Sequence, residues 1–210
     1  MKRIAIFASG GGSNAQKIME HFKSHPLIQV GLVVSNKKYA GVFKYAEDFN
    51  VPYYYLSKDQ ISDPLKTIEL LEENNIFAIV LAGYLKKIPI ELIQAFPNRV
   101  LNIHPSLLPK YGGKGMFGIN VHRAVKENGD KVSGPTIHLV NEEYDKGKIL
   151  FQKEIDLADS DLPEDIAAKV LKIEHSAYYQ VIDEYLTKLW NVFYIRWKAE
   201  FKAMRAYLNT

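Results

Sequence analysis

The sequence predicts an α/β fold: a mostly parallel twisted sheet with helices on both faces and an antiparallel C-terminal strand pair. Three observations predict it. Apolar, β-favouring runs alternate with segments of helical spacing through the first half; a triple-glycine loop joins the first such run to the first helix; and after His104 the alternation gives way to a Pro/Gly-rich loop and two strands joined by an acidic turn.

Taken in order, Lys2–Ala8 (KRIAIFA) is the first strand, and it stops at SGGGSN, where a helix begins near Ser13. Gln29–Ser35, Pro52–Leu56, Phe77–Leu81 and Val100–His104 read as further buried strands. Between them, Gly41–Phe49, Pro64–Asn74 and Pro89–Phe96 carry helical spacing or helix-starting prolines. PSLLPKYGGKG is a long irregular loop, a kind of segment that in compact domains is usually functional. A helix is expected over Gly118–Asn128, then strands over Gly134–Val140 and Lys148–Ile155 joined by NEEYDKG. Pro163 opens a long helix to about Leu186, with Asp161 or Ser160 as its cap.

With no repeats and no low-complexity linker, residues 1–187 read as one domain and 188–210 as an amphipathic C-terminal helix. In that tail Trp190, Phe193, Trp197, Phe201, Met204 and Leu208 recur at spacings of three or four, with Lys198, Lys202 and Arg205 elsewhere. The expectation is a helix packed on this domain or on a partner subunit; a membrane-surface helix is the alternative.

Composition removes several function classes. Cysteine is absent from the 210 residues, which excludes disulfides, thiolate metal sites and cysteine nucleophiles. The net charge of +3 is concentrated in the tail, where five basic residues face one acidic residue, so the rest is near neutral. That gives no reason to expect nucleic acid as the main partner. No apolar segment approaches the ~20 residues that span a bilayer. The short apolar run at the N-terminus stops at glycines rather than at a cleavage site, so a cytoplasmic location is expected.

Two features carry chemistry. Gly10-Gly11-Gly12-Ser13-Asn14 lies between the first strand and the first helix, where free backbone N–H groups and the helix dipole favour an anion. Gly10, Gly12 and Ala15 also match G-x-G-x-x-A, but no acidic residue follows ~20 positions on to hold a ribose. Lys37 and Lys38 leave a 2′-phosphorylated dinucleotide open, a ligand-free tight turn is the plain alternative, and a single phosphate is the simplest reading. Second, Asn102 and His104 stand two apart on a strand and so share a face. They lie at its carboxyl end, where open α/β sheets place ligands. An amide beside an imidazole suits a developing oxyanion and a proton transfer near neutral pH.

LNIHPSLLPKY (Leu101–Tyr111), GPTIHLVNEEYDKGKIL (Gly134–Leu150), LAGY (Leu81–Tyr84) and SGGGSN occur in an order that resembles the folate-dependent formyltransferase family over about residues 1–187. The resemblance implies a Rossmann-like formyltransferase fold and 10-formyltetrahydrofolate as co-substrate, donating its formyl group to an amine on a small phosphorylated acceptor. It implies that Asn102, His104 and Asp145 are catalytic: Asn102 and protonated His104 would stabilise the oxyanion, and Asp145 would raise the histidine's pKa. Gly11, Gly12, Ser13 and Asn14 would hold the acceptor's phosphate, and Glu174 would contact the acceptor. Leu85, Lys86, Lys87, Ile88, Asn102, Asn141, Glu142, Glu143 and Tyr144 would line the folate site, largely through backbone. His138 aligns with a family site histidine. Neither a metal nor a covalent intermediate is required, and the partners are small molecules, without nucleic acid or membrane, on a monomer or homodimer.

The family's usual K-x-F-x-x-R is replaced by KDQISDP after Leu56, so no residue is assigned to the folate's glutamate tail. The loop after Tyr111, GGKGMFGINVH, is longer than in many members. The competing readings are a hydrolase acting on the same formyl donor and a nucleotide-binding module without chemistry.

Overall fold

The computed structural model describes the backbone of residues 1–208 and the side chains of residues 1–191. In chain order the elements are β1 (Lys2–Phe7), α1 (Ser13–Phe22), β2 (Ile28–Ser35), α2 (Val42–Asp48), β3 (Tyr53–Tyr55), α3 (Lys58–Ser62), α4 (Pro64–Glu73) and β4 (Ile76–Leu81). They continue with α5 (Ile90–Ala95), β5 (Val100–His104), α6 (Ile119–Glu127), β6 (Val132–Ser133), β7 (Thr136–Leu139), β8 (Ile149–Gln152), β9 (Ile155–Asp156) and α7 (Pro163–Leu208).

The main sheet has the order β3-β2-β1-β4-β5-β7-β8, parallel as far as β5 and antiparallel beyond it. Period-two alternation divides the core between two faces. Ile4 and Ile6 of β1 pack with Ile18 and Phe22 of α1, Val42 of α2, and Tyr178 and Ile182 of α7. Ala5 and Phe7, pointing the other way, pack with Leu71 of α4 and Leu92 of α5. The strand order reverses between β1 and β4, and the crevice beyond that reversal is where such a sheet takes a ligand.

Several expectations are corrected. Pro52–Leu56 is not a buried strand: β3 lies at the sheet edge, with Tyr53 45% and Tyr54 36% exposed and their hydroxyls bonded to Glu47 and Gln60. The KDQIS segment forms α3, set by a capping box in which Ser57 and Gln60 satisfy each other's backbone N–H groups. The run Lys148–Ile155 is broken into β8, which pairs with β7, and β9, which pairs with β6 in a separate two-stranded sheet. Gly147 lets the acidic turn close, because a side chain there would run into the Leu139 carbonyl.

The last helix does not end near Leu186 but runs unbroken from Pro163 to Leu208. Neither Asp161 nor Ser160 caps it. Asp161 turns back to accept the Ala158 N–H and the Lys169 ammonium, while Asp165 accepts the Leu162 N–H at 2.9 Å. Trp190 packs back on the domain, with Lys2 Nζ 3.6 Å from its ring centroid and Phe77 edge-on. The rest of the expected apolar stripe, Phe193 to Leu208, lies outside the residues whose side chains are described.

Candidate active site

A cavity of about 650 Å³ opens beyond the carboxyl ends of β4 and β5. Most of the expected residues border it: Asn14, Leu85 to Ile88, Asn102, His104, His138, Asn141, Glu143 to Asp145, and Glu174. Gly11, Gly12, Ser13 and Glu142 do not. Asn102 and His138 meet because β5 and β7 pair in a register that sets them directly opposite. His138 Nδ1 donates to the Leu139 carbonyl at 2.8 Å, which leaves Nε2 to accept an Asn102 amide hydrogen at 3.1 Å. The second hydrogen of that amide has no protein partner among the described residues.

His104 is held differently. Its Nε2–H donates to the Tyr111 carbonyl at 2.8 Å, so the neutral ring carries its lone pair on Nδ1. Nδ1 lies 3.8 Å from Asp145 Oδ2, and His138 Nε2 lies 3.6 Å from Asp145 Oδ1. Burial pushes the His104 pKa down; the Asp145 charge and the Tyr111 carbonyl offset this in part, and the net direction is below the ordinary value. Asp145 acts on the histidine in the expected, raising direction, but burial outweighs it. Free His104 is neutral at neutral pH, ready to take up a proton.

Asp145 sits in the left-handed region, φ 54°, at the end of the acidic turn. Burial works to raise its pKa. Contact with His138, the Gly113 N–H at 2.8 Å and the two imidazoles outweigh that, and the carboxylate stays below its usual range. Gly112 contributes space, since a side chain there would crowd Leu108 and Asp145. The loop after β5 is braced from below. Thr136 donates to the Ser106 carbonyl at 2.6 Å and accepts the Leu108 N–H, and Gln152 donates to the Leu108 carbonyl.

The glycine loop has the form expected of an anion site. Gly12, at φ 83°, precedes the first turn of α1, and a side chain on it would strike Val42. Helix geometry leaves the first N–H groups of α1 without intrahelical partners. Asn14 links this loop to the cavity: its Nδ2 donates to Glu174 Oε2 at 2.7 Å across 160 residues of sequence. Burial raises the Glu174 pKa against that hydrogen bond.

Sequence reasoning missed His122, which borders the cavity from α6, and the main-chain carbonyl of Tyr111. His122 reads in sequence as part of the buried stripe Val121, His122 and Val125, and a carbonyl has no sequence signature. Lys114, in the long loop, also borders the cavity.

Among the described residues one cluster has the composition of a metal site, His21, His25 and Asp183, away from the cavity. His25 Nδ1 accepts the N–H groups of Leu27 and Ile28, so its Nε2 carries a hydrogen. With Nδ1 occupied and Nε2 protonated, the neutral His25 ring, 3.3 Å from Asp183, has no lone pair left for a metal.

The chain matches the formyl transferase family over residues 2–182. It is 47% identical over 187 residues to the chloroplastic phosphoribosylglycinamide formyltransferase of Arabidopsis thaliana, covering 86% of this chain and 64% of that protein. It is 37% identical to phosphoribosylglycinamide formyltransferase of Bacillus subtilis (strain 168), covering 89% and 95%. Thus it spans somewhat less than two thirds of the Arabidopsis protein but nearly all of the Bacillus one. The crystal structure of phosphoribosylglycinamide formyltransferase from Bacillus halodurans superposes with a TM-score of 0.80 at 32% identity, over 90% of this chain and 97% of that one. By sequence and by fold, the chain belongs to the formyl transferase family.

Proposed function

We propose that the protein transfers the formyl group of 10-formyltetrahydrofolate to the amine of phosphoribosylglycinamide, as the names of its relatives suggest. The observation that carries this reading is the convergence of Asn102, His104 and Asp145 on one cavity, with the His104 tautomer fixed so that Nδ1 is its basic nitrogen.

The acceptor's amine attacks the formyl carbon and makes a C–N bond, and the carbonyl electrons move onto oxygen. The free Asn102 amide hydrogen stabilises that oxyanion. His104 Nδ1 takes the proton the amine loses, and the imidazolium then faces the Asp145 carboxylate and donates to the oxyanion. Collapse breaks the bond to N10 of the folate, which leaves with the proton as tetrahydrofolate. The net proton therefore moves from the amine to N10. The Gly11–Asn14 loop binds the acceptor's phosphate and Glu174 its sugar, while Leu85–Ile88 and Asn141–Asp145 hold the folate.

The test is to mix the protein with 10-formyltetrahydrofolate and follow tetrahydrofolate release with and without phosphoribosylglycinamide. Release that requires the acceptor and yields formylated product is expected. Release without acceptor would identify a hydrolase, and binding without release a non-catalytic module.

A further inference from the structure

His122 is a buried titratable side chain that borders the cavity, has no part in the mechanism above and makes no hydrogen bond to the described residues. His122 is only 4% exposed, and its Nδ1 finds no hydrogen-bond partner among the described residues. Burial, with the nearby His104 second, holds it neutral with a pKa of about 4. A neutral imidazole offers one donor and one acceptor. Nδ1 is sealed from solvent, whereas Nε2, also without a hydrogen-bond partner among the described residues, is the ring nitrogen left to reach the cavity, and a ligand that brings it a partner explains a histidine here. Its neighbours Val121 and Val125 show that an apolar side chain suits the stripe, so a histidine is not what packing alone would select.

Its location narrows the ligand. α6 packs along α7, and the two helices build one wall of the cavity, with Ile119 and His122 from α6 and Leu171 and Glu174 from α7. Asn14, bonded to Glu174, continues that wall toward the glycine loop. The two segments assigned to the folate meet each other across the same cavity, with Lys87 Nζ 5.4 Å from the Tyr144 ring centroid.

We infer that His122 is a specificity residue for the formyl acceptor, its imidazole hydrogen-bonding an uncharged hydroxyl or amide of that molecule beside Glu174. The inference rests on the acceptor reading given above. A neutral ring is suited to a sugar hydroxyl or an amide and adds nothing to phosphate binding by charge.

The experiment combines steady-state kinetics in both substrates with calorimetric titration of phosphoribosylglycinamide into the ligand-free protein, on wild type, His122→Leu and His122→Gln. His122→Leu is expected to raise the acceptor's KM and Kd about 10-fold, the scale of one hydrogen bond lost with a partner left unpaired. The folate KM should move less than twofold. His122→Gln, whose amide restores a donor and an acceptor near the position of Nε2, should recover most of the loss. An unchanged acceptor Kd in His122→Leu, or equal rises in both KM values, would overturn the assignment. Should the leucine variant fail to fold, His122→Phe carries the same comparison. The titration reads the assignment even where no product forms, and a wild type that binds no phosphoribosylglycinamide overturns both readings.

Discussion

Two pairs of histidines in this molecule each share one aspartate. His21 and His25 approach Asp183 to 3.1 and 3.3 Å, whereas His104 and His138 stand 3.8 and 3.6 Å from Asp145. By distance alone the first cluster is the tighter one, yet the second has the features of a reactive centre. The Asp183 cluster is partly exposed at the contact of α1 with α7, and the Leu27 and Ile28 amides take the His25 lone pair. In the Asp145 cluster the backbone carbonyls of Tyr111 and Leu139 take N–H groups instead, so His104 keeps the lone pair of Nδ1 on the side of the carboxylate, while that of His138 Nε2 accepts from Asn102. Residue types do not make a site; which nitrogen the backbone occupies, and how much water is excluded, decide what a His–Asp group can do.

The largest effect that would sharpen this contrast is on turnover. Asp145→Asn should lower kcat by about 100- to 10,000-fold. Asp183→Asn should change it less than twofold, and similar losses in both would break the comparison. Asn102→Ala should cost about 100- to 1,000-fold in kcat with melting close to wild type; a small loss would remove the amide from the oxyanion site.

Burial in the cavity also has a pH signature. The His122 pKa of about 4 lies below the unfolded value near 6.5, so the unfolded chain binds a proton that the native ring refuses. Stability should be full above pH 6.5 and fall as the pH drops toward 4, by on the order of 3 kcal/mol from this residue. Urea unfolding at pH 7.5 and 4.5 measures it, and His122→Asn should flatten the difference; an equally steep dependence would refute the assignment. His104 should likewise titrate below 6.5 by NMR, and Asp145→Asn should lower it further, because it removes a raising interaction. A rise would mean that burial is not the dominant influence.

The smallest effect belongs to the surface cluster. Asp183→Ala should cost about 1 kcal/mol of stability, the scale of part-exposed pairs, and zinc should not raise the melting temperature. Zinc-dependent stabilisation lost in Asp183→Ala would show that the His25 amide contacts yield to a metal.

How far the sequence was legible follows from what kind of signal each feature leaves. β5 was plain, because Val100–His104 is a buried run at the predicted limits and its period of two brings Asn102 and His104 to one face. The glycine loop, the parallel first half and the turn that carries Asp145 were equally readable from residue type and order. α3 had a signature that went unused, the Ser57-to-Gln60 capping spacing. β3 was misjudged because three tyrosines read as a buried run, whereas their hydroxyls reach polar partners at an edge. The balance of forces on His104 had no sequence signal: it depends on a main-chain oxygen in a turn where Tyr111 adopts φ 55°, and on enclosure by distant elements.

The hydrogen bond between Asn14 and Glu174 also bears on synthesis. Residue 14 leaves the ribosome long before residue 174, a lag of roughly 10–30 s at ordinary elongation rates. Through that interval the nascent chain has its first strand–helix unit but lacks α7, and with it the Tyr178 hydroxyl that bridges the Leu81 and Leu101 carbonyls. The wall of the cavity that Asn14 and Glu174 share thus comes into being only with α7, and no translation product that stops short of α7 is expected to carry it.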